Sequence, residues 1–252
     1  MSAASNSKVL VRNLGRIGYA EAWGVQRKEV FKRLKFLRDM RSRTTKTTVL
    51  NGDDITQEPK DVILLCEHNP VYTVGIRTKD YPVSEEERLK KLGADFFRTD
   101  RGGLITFHGP GQMVAYPILN LARYTKSIRW YVCQLEKCVI RMSTSFGLVS
   151  NTSPHTGVWI KDNKVAAIGI HSSRYITSHG LALNCNTDLS WYDHIVPCGI
   201  VGKGVTSLSR ELRRDVTIDE VTPLFLKAFE TEFNCHIESE DGSAFQQDKL
   251  PA

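Results

Sequence analysis

Apolar and polar positions along the chain fall into many short strand-like runs, interrupted by three helical ones. Residues 8–14, KVLVRNL, alternate apolar and polar side chains, the period of a half-buried strand. Trp23, Val30, Leu34 and Leu37 recur at helical spacing and predict an amphipathic helix over 20–40. Residues 42–60 are polar, with Thr-Thr, Asn-Gly-Asp-Asp and a proline, and read as a surface loop inserted between elements. DVILLCEH (61–68) is a continuous apolar run, a buried strand; Asn69-Pro70 turns the chain into the extended piece VYTVG (71–75). Ile128, Val132, Leu135, Val139, Met142 and Phe146 step by three and four, a helix stopped by Gly147. VWIKDNKVAAIGI (158–170) predicts two strands around a turn at Asp162-Asn163, and HGLALNCN (179–186) adds another strand. A last helix begins at Thr217 or Thr222 and ends at Phe233, with Pro223 suited only to its start. The tail beyond 238 is polar and expected to be loose.

Strands follow one another through short turns, and helices come without a steady βαβα alternation. That order favours a single α+β domain with a mixed, mainly antiparallel sheet flanked by helices over a doubly wound parallel sheet. The expected limits are a short leader at 1–7, one domain over 8–236 and a tail over 237–252.

Composition narrows the class. The chain has 252 residues, 41% hydrophobic and 25% charged, ordinary for a globular domain. No apolar run approaches the ~20 residues of a membrane-spanning helix. The net charge of +6 is uneven: residues 1–46 hold twelve Lys or Arg against three Asp or Glu. Such a basic end suits a nucleic acid, an anionic membrane, an acidic protein or an import signal, and equally a solvated helix face. Residues 1–20 contain no acidic side chain, a weak mitochondrial signature. None of the six cysteines forms C-x-x-C, so reduced thiols are expected, and no zinc-ligand spacing is present.

Two stretches carry candidate chemistry. RGGLITFHGPGQMVAYP (101–117) sets four glycines around one His, one Arg and one Pro, a stiff wall that lets backbone approach a ligand. It is neither a dinucleotide fingerprint nor a P-loop, and a serine-hydrolase elbow and a zinc-protease helix are both missing from the chain. The plain alternative is a pair of tight turns with a structural His108. In VPCGI, Pro197 and Gly199 frame Cys198, holding a thiol at a cleft mouth or simply burying a small hydrophobe. A nucleophilic thiol needs a base or cation nearby. His194, Lys164, Lys203 and His108 are candidates that spacing alone does not separate. Lys164 precedes an apolar run and can be desolvated there, or it merely ends a hairpin turn.

Taken together, EHNPVYTVG (67–75), RGGLITFHGPGQMVAYPILNL (101–121), GVWIKDNKVAAIGI (157–170), HGLALNCNTDL (179–189) and VPCGI with GVTSL resemble the octanoyl-ACP:protein octanoyltransferases, also called lipoyl(octanoyl) transferases. The resemblance implies the fold shared with lipoate and biotin ligases. It implies that Cys198 carries an acyl chain as a thioester, with Lys164 as its proton acceptor. It places substrate contacts on Arg101, Gly102, Gly103, Leu104, Ile105, Thr106, Phe107 and His108, on Ala167, Ile168 and Gly169, and on Gly180, Leu181 and Ala182. No metal and no bound cofactor are implied, because the octanoyl group arrives on the phosphopantetheine of acyl carrier protein. The implied acceptors are lipoyl-domain proteins such as glycine cleavage H protein and 2-oxoacid dehydrogenase E2 subunits; no nucleic acid or membrane span is involved. The expected compartment is the mitochondrion, with bacterial-type cytoplasm as the alternative. An acidic carrier would dock on Arg27, Lys28, Lys32 and Arg33, and backbone N–H groups near Cys198 or on the glycine-rich wall would hold the oxyanion. The competing function is an ATP-dependent ligase of the lipoate or biotin type, which needs no cysteine.

Overall fold

The computed structural model describes residues 7–44, 58–78, 81–200 and 202–240. The expected leader at 1–7 therefore lies outside it except for Ser7, as do most of the 42–60 loop and the tail beyond 240.

The chain opens with β1 (Ser7–Ile17), α1 (Tyr19–Thr44) and β2 (Asp61–His68). β1 and β2 are parallel, the arrangement a helical crossover permits. β3 (Val71–Val74), α2 (Val83–Lys90), β4 (Asp95–Arg98), β5 (Thr106–His108), β6 (Gln112–Ile118) and α3 (Ile128–Ser145) follow. Next come β7 (Val158–Ile160), β8 (Asn163–Ser173), β9 (Ile176–Asn184), β10 (Gly204–Val205), α4 (Leu208–Leu212), α5 (Ile218–Phe233) and β11 (Cys235–Ser239). The main sheet runs β10-β8-β9-β6-β2-β1-β11, with β7 paired to β8; its centre is antiparallel and its edges parallel. This is the mixed sheet expected from the sequence. A small second sheet, β4-β3-β5, stands beside it and carries half of the glycine-rich stretch. His108 ends β5 and Gln112 begins β6, so Gly109-Pro110-Gly111 passes the chain from one sheet to the other.

Helices cover both faces of the main sheet. Ile63 and Leu65 of β2 join Leu135, Val139, Phe225 and Phe229 of α3 and α5 in the larger core. Val62, Leu64 and Cys66 face α1 instead. That alternation explains why β2 reads as an unbroken apolar run: both its faces are buried. A third cluster, with Tyr72, Phe107 and Tyr192, packs the small sheet against a 3-10 turn at Leu189–His194.

Several elements differ from expectation. The turn between β7 and β8 is Lys161-Asp162, one residue early, because Ile160 pairs with Asn163. Pro223 sits in the second turn of α5, where the carbonyl it leaves without a donor belongs to exposed Asp219. The segment from 237 is not a loose tail at its start: β11 runs parallel to β1, with Ser7 opposite Cys235 and Val11 opposite Ser239. Its polar residues, half-buried at the sheet edge, disguise it as a tail.

Phe229 is fully buried and stacks on Phe233 at 4.1 Å between rings. Phe229→Ala is expected to lower the unfolding free energy by about 3–5 kcal/mol, read as a shift of the urea midpoint at unchanged m.

Candidate active site

Cys198 lies on a short 3-10 turn, Pro197–Gly199, in a left-handed conformation with φ 56°. A side chain there is strained, and such strain collects where function holds a residue out of its preferred geometry. Three bonds hold the turn: Cys198 N–H donates to Ile105 O at 2.9 Å, Gly199 N–H to Val196 O at 2.9 Å, and Ile200 N–H to Pro197 O at 3.1 Å. Gly199 has φ 68°, and a Cβ there would run into the Leu104 side chain. Half-buried Cys198 thus hangs from the end of the glycine-rich loop.

The thiol opens onto a cleft. Its walls bring together Arg101, Gly103, Leu104, Thr106, His108, Ala167, Ile168, Gly169, Gly180, Leu181 and Ala182, all expected from the sequence. Tyr19, Val114, Tyr116 and His179 complete the lining. The floor comes from three neighbouring strands, with Ala167 opposite Ala182, Gly169 opposite Gly180, and Ala182 opposite Val114. Small residues keep this floor low. Gly180 is required for a second reason, since a Cβ there would strike the Ala115 carbonyl on the adjacent strand.

Three residues expected at the substrate do not line the cleft. Phe107 points away, stacked on Trp191 at 5.1 Å, because alternate residues of β5 face opposite ways. Ile105 is buried and contributes its carbonyl to Cys198 rather than its side chain to the cleft. Gly102 sits on the rim, its N–H donating to Ile170 O at 2.9 Å.

Arg101 braces the loop from within. Nη2 donates to Thr73 O at 2.5 Å, Thr73 Oγ1 at 2.9 Å and Leu104 O at 3.0 Å, and Nη1 donates to Gly102 O at 2.9 Å. Burial lowers its pKa, opposed by Tyr19 and Cys198 nearby, yet guanidinium stays charged. It is the permanent cation of the cleft wall among the described residues.

Lys164 stands apart from this wall. It is buried, its Nζ donates to Thr156 O at 3.0 Å, and it lies 4.8 Å from the Trp159 ring centroid. Among the described residues no hydrogen bond joins it to Cys198. The backbone brings the two closer: Lys164 pairs with Val205, and Thr206 N–H donates to Lys164 O at 3.0 Å, just beyond the Cys198 turn. Of the other candidate activators, Lys203 is engaged by exposed Asp162, and His194 is exposed, its carbonyl held by Arg88.

Burial separates the six free cysteines. It pushes the Cys185 and Cys235 thiols up to about 12, and Cys66 and Cys138 upward as well. Those four remain inert thiols at neutral pH. Cys133 is exposed on α3. Cys198 is the half-exposed thiol that meets a cleft.

Comparison with known proteins decides among the readings. The family model for the lipoyl protein ligase A/B catalytic domain matches residues 48–230. The mitochondrial octanoyl-[acyl-carrier-protein]:protein N-octanoyltransferase LIPT2 of Danio rerio is 56% identical over 233 residues, 92% of this chain and 96% of the relative. The chain belongs to the octanoyltransferase family. The Homo sapiens protein of the same name is 47% identical over 236 residues, again 92% and 96% of the two chains. Among solved structures, a bipartite lipoate protein ligase of Thermoplasma acidophilum superposes with a TM-score of 0.62 at 15% identity, over 94% of this chain and 87% of that one. That likeness shows the octanoyltransferase to have the lipoate ligase fold.

The cleft of this octanoyltransferase is ringed by neutral imidazoles. Burial, with His68 adding to it, holds His108 down to about 3, and burial lowers His68 and His179. His179 Nε2 meets Asp100 Oδ1 at 2.7 Å, a bond that holds the Asp100 carboxyl down to about 2. The sequence reading passed over His179, Asp100, Tyr116 and Tyr19 because none stood in a recognisable spacing. The one signal was their adjacency to quoted motifs: Asp100 precedes RGG and His179 precedes Gly180.

A histidine whose folded pKa lies below its unfolded value lets the unfolded chain bind more protons. Stability therefore falls as pH drops from about 6.5 towards 3. His108→Gln is expected to make that acid slope shallower by about one proton, measured by urea denaturation at stepped pH.

Proposed function

We propose that the chain moves an octanoyl group from octanoyl-acyl carrier protein, through a thioester on Cys198, to the ε-amine of a lysine on lipoyl domains. The observation that carries this reading is the strained, half-exposed thiol of Cys198 at the mouth of an apolar cleft. The names of the relatives supply the donor and the reaction class.

In the first half, the Cys198 thiol gives its proton to the Lys164 amine and the thiolate attacks the thioester carbonyl. The carrier's thiol leaves and takes up a proton. Lys164 reaches this position by leaving Thr156 O, a rotation its four-carbon stem allows. Arg101 sets a positive field on the forming thiolate. The oxyanion donors suggested beside Cys198 are spent, since its own N–H and those of Gly199 and Ile200 are bonded. The N–H groups of Gly103 and Leu104 at the rim, which donate to no protein group among the described residues, take that role instead. In the second half, a neutral lysine amine attacks the acyl-enzyme, the C–N bond forms, the C–S bond breaks, and the amine proton returns to sulfur through Lys164. Thioester gives amide, which is downhill, so ATP is not needed. Lipoyl-domain proteins such as glycine cleavage H protein and the 2-oxoacid dehydrogenase E2 subunits are the proposed acceptors. The named compartment of the relatives, and the acid-free first twenty residues, support work in mitochondria.

Intact-mass measurement after mixing with octanoyl-acyl carrier protein tests the thioester: a hydroxylamine-labile octanoyl adduct maps to Cys198 and vanishes in Cys198→Ala. Lys164→Met is expected to slow its formation about 10²–10⁴-fold. Transfer that requires ATP and survives Cys198→Ala assigns the ligase reaction instead.

The carrier's docking face follows from α1. Its first turns bring Tyr19 to the cleft and Trp23 within 6.0 Å of His179 on the cleft wall. Farther along, Arg27, Lys28, Lys35 and Arg38 are exposed around Phe31, itself 59% exposed. Arg33 does not belong to this face, because it is buried against Glu29 at 2.8 Å. Reversing Lys28 and Lys35 to Glu is expected to raise KM for the carrier-bound donor about tenfold and to flatten its salt dependence. The rate with an octanoyl thioester of free pantetheine should not change.

A further inference from the structure

The cleft has a blind end, and its distance from Cys198 matches a short acyl chain. Exposure marks the mouth: Gly103, Leu104, Gly169 and Cys198 are half-buried or less. Tyr19, His108, Val114 and Tyr116 are buried and form the far side. β5 measures the depth. Ile105, whose carbonyl carries the Cys198 N–H, lies three residues before His108 on extended backbone, about 10 Å at ~3.3 Å per residue. That is the reach of an extended chain of eight carbons.

The blind end cannot recede. Tyr19 and His108 stack with ring centroids 6.2 Å apart, and His68 wedges behind both, 5.3 Å from Tyr19 and 6.0 Å from His108. The polar tips of Tyr116 and His108 are tied away from the cleft. Tyr116 donates its hydroxyl to His68 Nε2 at 2.8 Å, and His68 Nδ1–H donates to Ile17 O at 2.9 Å. His108 Nδ1–H donates to Gln112 Oε1 at 2.8 Å, and Gln112 is in turn bonded to Asn184 and Tyr192. Tyr19 presents its ring to His108 and His68. What remains towards the cleft is ring face and the Val114 side chain, an apolar stop backed by a satisfied polar network.

We infer that Tyr19, His108 and Tyr116 form the stop that sets acyl chain length, with Ala182 and Val114 fixing the height of the floor beneath the chain. This rests on the thioester proposed at Cys198. An acyl group shorter than eight carbons leaves part of the floor uncovered. A longer one must fold back towards the mouth, so its extra methylenes gain no burial. Each buried methylene shifts the preference about fourfold, and two shift it roughly fifteenfold.

The test is a competition. Hexanoyl, octanoyl, decanoyl and dodecanoyl acyl carrier proteins are mixed in equal amounts with the full chain, and the acyl groups on Cys198 are read by intact mass at early times. Because the readout is a ratio within one tube, a partly unfolded variant still reports its own preference. The octanoyl adduct should dominate in the unaltered protein. Tyr19→Ala, which removes one ring of the stop, should raise the decanoyl and dodecanoyl share about tenfold. Ala182→Val, which lifts the floor, should move the distribution towards hexanoyl. Adducts that form with the same distribution in all three proteins overturn the stop while leaving the thioester intact. No adduct on Cys198 in the unaltered protein overturns the thioester, and the stop with it.

Discussion

The buried guanidinium of Arg101 organises the site. A charge nine-tenths removed from water must be met by acceptors, and Arg101 finds them on two elements: Thr73 of β3, and the carbonyls of Gly102 and Leu104 on its own loop. Four donated bonds from one rigid fork leave the loop a single shape. Leu104 is thereby fixed, then Ile105, and Ile105 O holds the Cys198 N–H. The position of Cys198 descends from that clamp as well as from its own turn. Arg101 also gives the thiol a cation that does not titrate. One side chain thus serves as fold constraint and as electrostatic partner.

The same economy governs the polar groups around the cleft. An acyl chain binds well only where water is absent, but this cleft is bordered by four imidazole or phenol side chains, Tyr19, His108, Tyr116 and His179. They are tolerated because burial keeps the imidazoles neutral, and neighbours occupy His108 Nδ1, the Tyr116 hydroxyl and His179 Nε2. Rings so arranged act as apolar walls with polar backs. They also make the molecule acid-sensitive, since charging any of these imidazoles places an ion in the driest part of the protein. Asp100 is the exception, a half-exposed carboxylate that keeps His179 oriented from the rim.

The two buried cations near Cys198 are held differently. Arg101 is clamped by four donated hydrogen bonds; Lys164 donates one, from a flexible four-carbon stem. The structure has Lys164 parked on Thr156 O and the Trp159 ring, close to the strand that follows Cys198. β10, which follows the Cys198 turn, reaches Lys164 only through strand pairing, Val205 opposite Lys164. The basic face of α1 follows Tyr19 and Trp23 along the same helix. An acidic carrier seated there would bring its cargo in over Tyr19 and Trp23.

The sequence by itself determined the class of fold, the family and most of the cleft lining. Strand and helix periods survive in linear order because each element must bury one face or two, and β2, α3 and α5 were legible for that reason. Cys198 and the glycine-rich loop were legible through their specific motifs and the family these resemble. Only the tertiary structure decided which residues within those motifs line the cleft. Thr106 and His108 face the cleft while Phe107 faces another core, a consequence of strand pleat that a contiguous motif conceals. Tyr19, Tyr116 and His179 come from three separate elements, and no local spacing could join them. β11 was hidden because a half-buried edge strand has no period of its own, and its place is set by pairing with β1 across the whole length of the chain. Local patterns record what a segment must bury; which segments bury it together is fixed only when the sheet closes.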